Sequence, residues 1–270
     1  MPQAAQVQHG WAGLNRLLQD EPVFTAGGIL MLALILPTML LFVIDTRTIG
    51  GESLWIKPLK FEISLAVFFF TLAVFARFLP PDFLNGNGYR AYAMVIVGCA
   101  IAEMIWIIGA SAYGTTSHFN TDPFWSAMYG LMGIIATILT SATLVYGVVI
   151  LRSGNTDPIA TAVAVSLILT FFLTIVVAFR LAGNEGNLVG EAVTGHVLPV
   201  LGWSREVGDL RVPHFFALHA MQIVPLLMVF IALFAEPLMT RSAAIAVCIA
   251  YCIFTLATFA QALNARPFIS

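Results

Sequence analysis

This sequence predicts an all-α fold, an integral membrane bundle of seven transmembrane helices with a short interfacial helix at its N-terminus. Three observations predict it. Of 270 residues, 60% are hydrophobic and 10% charged, and the mean hydropathy is +0.93, values far from those of a soluble domain. Seven stretches are long enough to cross a hydrocarbon core of about 30 Å, which takes about 20 apolar residues. Finally, Pro22, Pro58, Pro123, Pro158, Pro213 and Pro237 each stand at or just before a helix start, where the missing N–H costs nothing.

In chain order, residues 1–22 form a leader. Trp11, Leu14, Leu17 and Leu18 are helically spaced in it, which suits a helix lying in the membrane interface. The leader has no basic segment followed by an apolar core, so it does not read as a cleaved signal peptide. The spans fall near 24–44, 55–79, 91–113, 124–151, 159–181, 212–235 and 243–263, and 1–270 reads as a single transmembrane domain without internal repeat or linker. Asp122 and Asp157, each before a proline, read as helix caps rather than catalytic groups. Cys99, Cys248 and Cys252 all lie in apolar spans and read as small hydrophobes. A net charge of −2 leaves no basic footprint for nucleic acid.

Seven crossings sort the connections into two faces. The one shared with the N-terminus has the short connections 78–90, 152–157 and 236–241. The other carries 45–54, 114–122 and the long 182–211. Lys57, Lys60, Glu62, Ser117-His118-Phe119-Asn120, Gly195-His196 and the stretch Gly202–Pro225 all belong to this second face. The positive-inside bias, weighted to short loops, puts the N-terminus in the cytoplasm and the polar face in the periplasm, across a bacterial inner membrane.

The stretch Gly202–Pro225 runs from a polar loop into an apolar span while keeping Asp209, Arg211, His214, His219 and Gln222. Ionisable groups at such depth are costly and mark functional sites. On a helix, His214 and His219 lie roughly 140° and roughly 7.5 Å apart, so they are not a pair that grips one small ion from a single face. Pro225 can kink this helix and free a carbonyl. Glu103 stands near the middle of the third span, where a protonated carboxyl could pass protons or donate a hydrogen bond. Lys57, Lys60 and Ser64 share a stripe on the second span, with Glu62 turned away. Together with Arg211, the two lysines suit an anionic group such as a phosphate, carboxylate or propionate. His118, His196, His214 and His219 share one face, and imidazoles beside cations suit axial ligation of haem or a transition-metal centre.

Asp45, Trp55-Ile-Lys-Pro-Leu-Lys-Phe61, Ser117-His-Phe-Asn120, Gly202-Trp-Ser with Gly208-Asp-Leu-Arg, and His214-x4-His219-x2-Gln222 together resemble a family of bacterial multi-pass membrane proteins. The resemblance runs from the first span to the sixth. It implies a bacterial membrane home and supplies no activity. A retinal-binding rhodopsin is excluded because Lys57 and Lys60 are the only lysines and the last span has none. H-E-x-x-H, G-x-S-x-G and the P-loop are missing.

Three functions remain. The preferred one is a redox protein holding haem or a transition metal. His214 or His219, with His118 or His196, would ligate it; His214, His219 and His118 are the metal candidates. Arg211, Lys57, Lys60 and Gln222 would bind around the cofactor, and Glu103 would handle protons. The second is a cofactor-free enzyme acting on a lipid or isoprenoid, with Glu62 or Glu103 as general acid and a histidine as base. The third is a proton-coupled transporter or channel lined by Glu103, His219 and Gln222. Partners are the bilayer and a small lipophilic substrate or quinone. A structural subunit of a larger complex is the non-catalytic alternative.

Overall fold

The structure, a computed structural model, describes residues 13–184, 186–199 and 201–270. Seven helices long and apolar enough to span a membrane lie among them. They are α1 (Pro22–Ile44), α2 (Ile56–Phe75, extended by a 3-10 turn to Phe78), α3 (Asn87–Tyr113), α4 (Pro123–Arg152), α5 (Pro158–Ala182), α6 (Arg211–Phe234) and α7 (Arg241–Leu263). Each lies within a few residues of its predicted span, because the apolar runs are long and proline and cap residues punctuate their starts. Of the leader, residues 13–20 are helical, while Trp11 lies outside the described residues.

The cap predictions hold. Asp157 Oδ1 accepts from the Ala160 N–H at 2.8 Å and Asp122 Oδ1 from the Phe124 N–H at 3.0 Å, each satisfying a donor that the first turn of a helix leaves without an intrahelical partner. All three cysteines are free thiols, and Cys248 sits in a buried apolar cluster.

The chain forms two compact units, Met1–Ala142 and Thr143–Ser270, the division falling inside α4. In the first, α1 packs along α2 and both meet α3. Phe24 stacks on Phe69 at 5.7 Å, and the helices approach closely at Gly28, where a Cβ would come within 2.9 Å of the Phe70 ring. Close approach at small residues is how helices associate in lipid, where apolar burial alone supplies little drive. The hairpin β1 (Thr48–Ile49) with β2 (Glu52–Ser53) leads from α1 to α2.

In the second unit α5 packs on both α6 and α7, and these on each other. Ala162, Ala220, Val224, Met228, Ala244, Cys248 and Tyr251 form its buried core. Two polar contacts tie its helices together: Tyr251 OH donates to the Phe216 carbonyl at 2.8 Å, and the Met221 N–H donates to Thr170 Oγ1 at 2.9 Å, while the buried Thr161 and Thr174 hydroxyl oxygens are enclosed without a hydrogen-bond partner. The long connection from α5 to α6 is ordered by β3 (Leu188–Val189) pairing antiparallel with β4 (Gly208–Asp209). Gly208 lies so close to the end of α7 that a Cβ there would overlap the Ala262 carbonyl.

Candidate functional site

The candidate site of the first unit is built outward from Asp45. Its carboxylate pairs with Arg47 at 2.7 Å and accepts from the Trp55 indole Nε1 at 2.9 Å. The Arg47 and Trp55 hydrogen bonds, in that order, hold this carboxyl well below the usual carboxylate range. Arg47 also donates from Nη1 to the Ala112 carbonyl at 3.1 Å, at the end of α3. Asp45 thus bolts the hairpin to the start of α2, and Lys57 follows two residues after Trp55.

The 114–122 loop comes from the other direction. Gly114 ends α3 at φ 85°, a left-handed conformation glycine adopts without strain. Asn120 Nδ2 donates to Thr115 Oγ1 at 2.9 Å and to the Thr116 carbonyl at 3.2 Å. The Trp106 indole donates to the Ser117 carbonyl at 3.3 Å. Phe119 is held at φ 54°, a left-handed conformation that is costly for a bulky side chain and clusters at functional sites.

Loop and helix meet at one triangle of polar atoms. Lys57 Nζ lies 2.7 Å from Ser117 Oγ and 2.9 Å from His118 Nδ1, and those two atoms lie 3.0 Å apart. Ser117 is 3% exposed. Around it stand aromatic rings: Tyr129 is 4.9 Å and Phe61 6.2 Å from the His118 ring, and Trp106 is 4.7 Å from Trp125. Glu103, 5% exposed on α3, interacts electrostatically with Lys57 without a direct ion pair, and its enclosed Oε1 has no hydrogen-bond partner. When Lys57 is an ammonium it can only donate, and Nδ1 then accepts. The proton of a neutral His118 then sits on Nε2.

Other expected residues of this unit fall elsewhere. Glu62 is 0% exposed and accepts from Thr38 Oγ1 on α1 at 2.6 Å; its second oxygen is enclosed without a partner. Lys60 is exposed. The stripe of Lys57 and Lys60 is therefore divided, one lysine held in the triangle and the other at the surface.

In the second unit the Asp209 carboxylate, 1% exposed, takes Arg211 through Nε at 2.9 Å and Nη2 at 2.6 Å and accepts the Arg211 and Ser204 N–H groups, each at 3.0 Å. Arg211 Nη2 also donates to the Gly202 carbonyl at 2.5 Å. The guanidinium is thus engaged inside the protein. His196 is exposed on a loop, where its N–H donates to Glu206 at 2.7 Å. His214 and His219 lie in the first half of α6, both half-buried. His214 Nδ1 is enclosed without a hydrogen-bond partner, while His219 bonds to Gln222 and lies 4.3 Å from the Phe215 ring. Among the described residues, no group of three or more His, Cys, Asp or Glu side chains is gathered closely enough to hold a metal ion.

Sequence reasoning named Ser117 only as part of a motif and passed over Trp106 and Tyr129. One signal was available for Trp106, which follows Glu103 at helical i, i+3 spacing and so shares its face. None marked the partnership of Ser117 with Lys57, 60 residues away.

An all-α bundle with seven apolar helices of spanning length defines the class, a multi-pass integral membrane protein. Beyond that class, comparison with family models, curated proteins and solved structures finds no match.

Proposed function

We propose that this protein is a membrane enzyme acting on a lipophilic substrate by acid–base chemistry of its own side chains, centred on Lys57, His118 and Glu103. One observation carries the reading: a half-buried lysine whose Nζ is within hydrogen-bond reach of both a serine hydroxyl and an imidazole nitrogen. Groups already at such distances are positioned for proton transfer, which contributes about 10²–10⁴-fold to rate. With Nδ1 accepting from an ammonium at Lys57, a neutral His118 carries its proton on Nε2. Glu103, coupled to Lys57 and with one oxygen unengaged, is the proton reservoir. The aromatic rings around the loop suit an apolar substrate. Glu62, paired with Thr38, is left outside this centre.

The test is conversion of lipid. Purified protein is reconstituted with a bacterial total lipid extract, and the lipids are followed by mass spectrometry. We expect at least one lipid species to be consumed by the wild type, spared by Lys57→Met and consumed with an altered pH profile by Glu103→Gln. Identical lipid profiles for wild type and both variants would overturn the reading.

A second reading keeps one specific observation, the enclosed and unpartnered Nδ1 of His214, one turn and a half before His219. It is a histidine-ligated haem or transition metal in the second unit, serving a quinone. An optical spectrum of oxidised and dithionite-reduced protein, with metal analysis, decides it: a Soret band that shifts on reduction and disappears in His214→Ala supports it, and a colourless, metal-free protein removes it. On either reading we place the chain in a bacterial inner membrane with its N-terminus in the cytoplasm and the loop bearing Ser117 and His118 outside. The short connections carrying Arg77, Arg90, Arg152 and Arg241 support that orientation. Reporter fusions at 153 and 118 should report cytoplasm and periplasm, respectively.

A further inference from the structure

We propose that Ser117 is the nucleophile of this centre and that the substrate is a lipid ester, so that turnover passes through an acyl-serine. The inference rests on the acid–base reading above and names its reaction. A serine nucleophile needs a base within about 2.6–3.2 Å and a third group that orients the base. Ser117 Oγ has Lys57 Nζ at 2.7 Å, and His118 Nδ1 stands 2.9 Å from the same Nζ. In its amine form Lys57 donates one N–H to His118 Nδ1 and turns its lone pair to the Ser117 hydroxyl. Serine–lysine pairs of this kind are a recurrent variant of the catalytic triad.

The loop has several holds besides the Ser117 side chain. Trp106 already holds the Ser117 carbonyl, Asn120 closes on Thr115 and Thr116, and Phe119 adopts its left-handed backbone with its ring 5.5 Å from Tyr129. A hydroxyl fixed against a lysine from another helix is placed for chemistry. Phe61, Trp106 and Tyr129 supply an apolar setting for an acyl chain.

The reaction balances without an added reagent other than water. Oγ attacks the ester carbonyl carbon while its proton passes to Lys57. The tetrahedral adduct collapses by breaking the bond to the alcohol oxygen, which takes that proton from the Lys57 ammonium and leaves. Water then gives a proton to Lys57 as its oxygen bonds to the acyl carbon; the bond to Oγ breaks, and Ser117 regains the proton from Lys57, releasing a carboxylic acid. A carboxylate at Glu103 stabilises the ammonium during each passage.

The experiment treats the full-length protein in nanodiscs with an alkyne-tagged alkyl fluorophosphonate and maps the adduct by peptide mass spectrometry, alongside the lipid-conversion assay. The expected result is an adduct on Ser117, absent from Ser117→Ala and formed about ten-fold or more slowly in Lys57→Met, with Ser117→Ala inactive on lipid. Conversion by Ser117→Ala at the wild-type rate, with Lys57→Met inactive, overturns the nucleophile and leaves the acid–base reading standing. Loss of lipid conversion in none of the variants sinks both. Should Ser117→Ala fail to fold, the wild-type adduct decides: a label on Ser117 supports the proposal, and active protein with no label there overturns it.

Discussion

Among the described residues each unit of this protein holds one partly buried lysine or arginine, and the two are treated in opposite ways. In the second unit Arg211 meets the Asp209 carboxylate through two nitrogens and spends a further donor on the Gly202 carbonyl. In the first unit Lys57 meets a hydroxyl and an imidazole nitrogen, and the carboxylate that senses it, Glu103, makes no ion pair with it. A bidentate pair with its hydrogen bonds satisfied has no proton to move and no lone pair to offer, so it shapes a loop. A lysine among neutral partners keeps a choice of protonation state, and that choice is what acid–base work requires. Position along the chain does not separate the two cases, since both cations stand near the start of an apolar helix.

The contrast can be broken most directly at Lys57. Lys57→Met keeps an unbranched side chain, one atom shorter, and removes the proton carrier; lipid conversion should fall by about a hundred-fold or more, read as initial rate by mass spectrometry. At Asp209 the expected loss is in folding instead. Asp209→Ala strips acceptors from the Ser204 and Arg211 amides and leaves a guanidinium unpaired, which should cost about 1–3 kcal/mol and lower the thermal midpoint in detergent. An Asp209→Ala protein as stable as the wild type would show that the pair carries no structural weight.

Smaller effects sharpen the comparison. Glu103→Gln should leave the folding stability within about 0.5 kcal/mol of wild type while altering the pH profile of turnover, because it changes charge beside Lys57 and not shape. An unchanged profile would reduce Glu103 to a packing group. The smallest effect belongs to Glu206, whose carboxylate accepts from Thr194 Oγ1 at 2.6 Å and from the N–H groups of Val193, Thr194 and His196. These bonds, the Thr194 side chain foremost, lower its pKa to about 2. A depressed carboxyl contributes its stability above the ordinary carboxylate pKa and loses it as pH falls towards about 2. Amide exchange at Thr194 and His196 should therefore stay slow at pH 5 and rise between about pH 4 and pH 2, and Glu206→Gln should remove that pH dependence.

The helices were legible in the sequence because their signal is local. An apolar run of spanning length, a proline at the first turn and an Asp before it are read within a few residues of one another, as Asp157-Pro158 illustrates. The candidate site was legible only in pieces. Lys57, His118 and Glu103 stood out as polar groups at apolar boundaries, yet the stripe that seemed to join Lys57 to Lys60 is divided, and Arg211, expected to hold an anion, is engaged by Asp209. Glu62 accepts from Thr38, which is on another helix and carries no local mark in the sequence.

By itself, then, the sequence determined a seven-helix membrane bundle, its helix ends and the polar residues it could not bury cheaply, since hydrophobic length and capping act over a few turns of chain. Only the tertiary structure decided which polar groups serve one another. Hydrogen bonds reach about 3 Å, whereas Lys57 and Ser117 are 60 residues apart in the chain; the packing of α2 and the α3–α4 loop, not any spacing along the sequence, brings an amine, a hydroxyl and an imidazole within that reach.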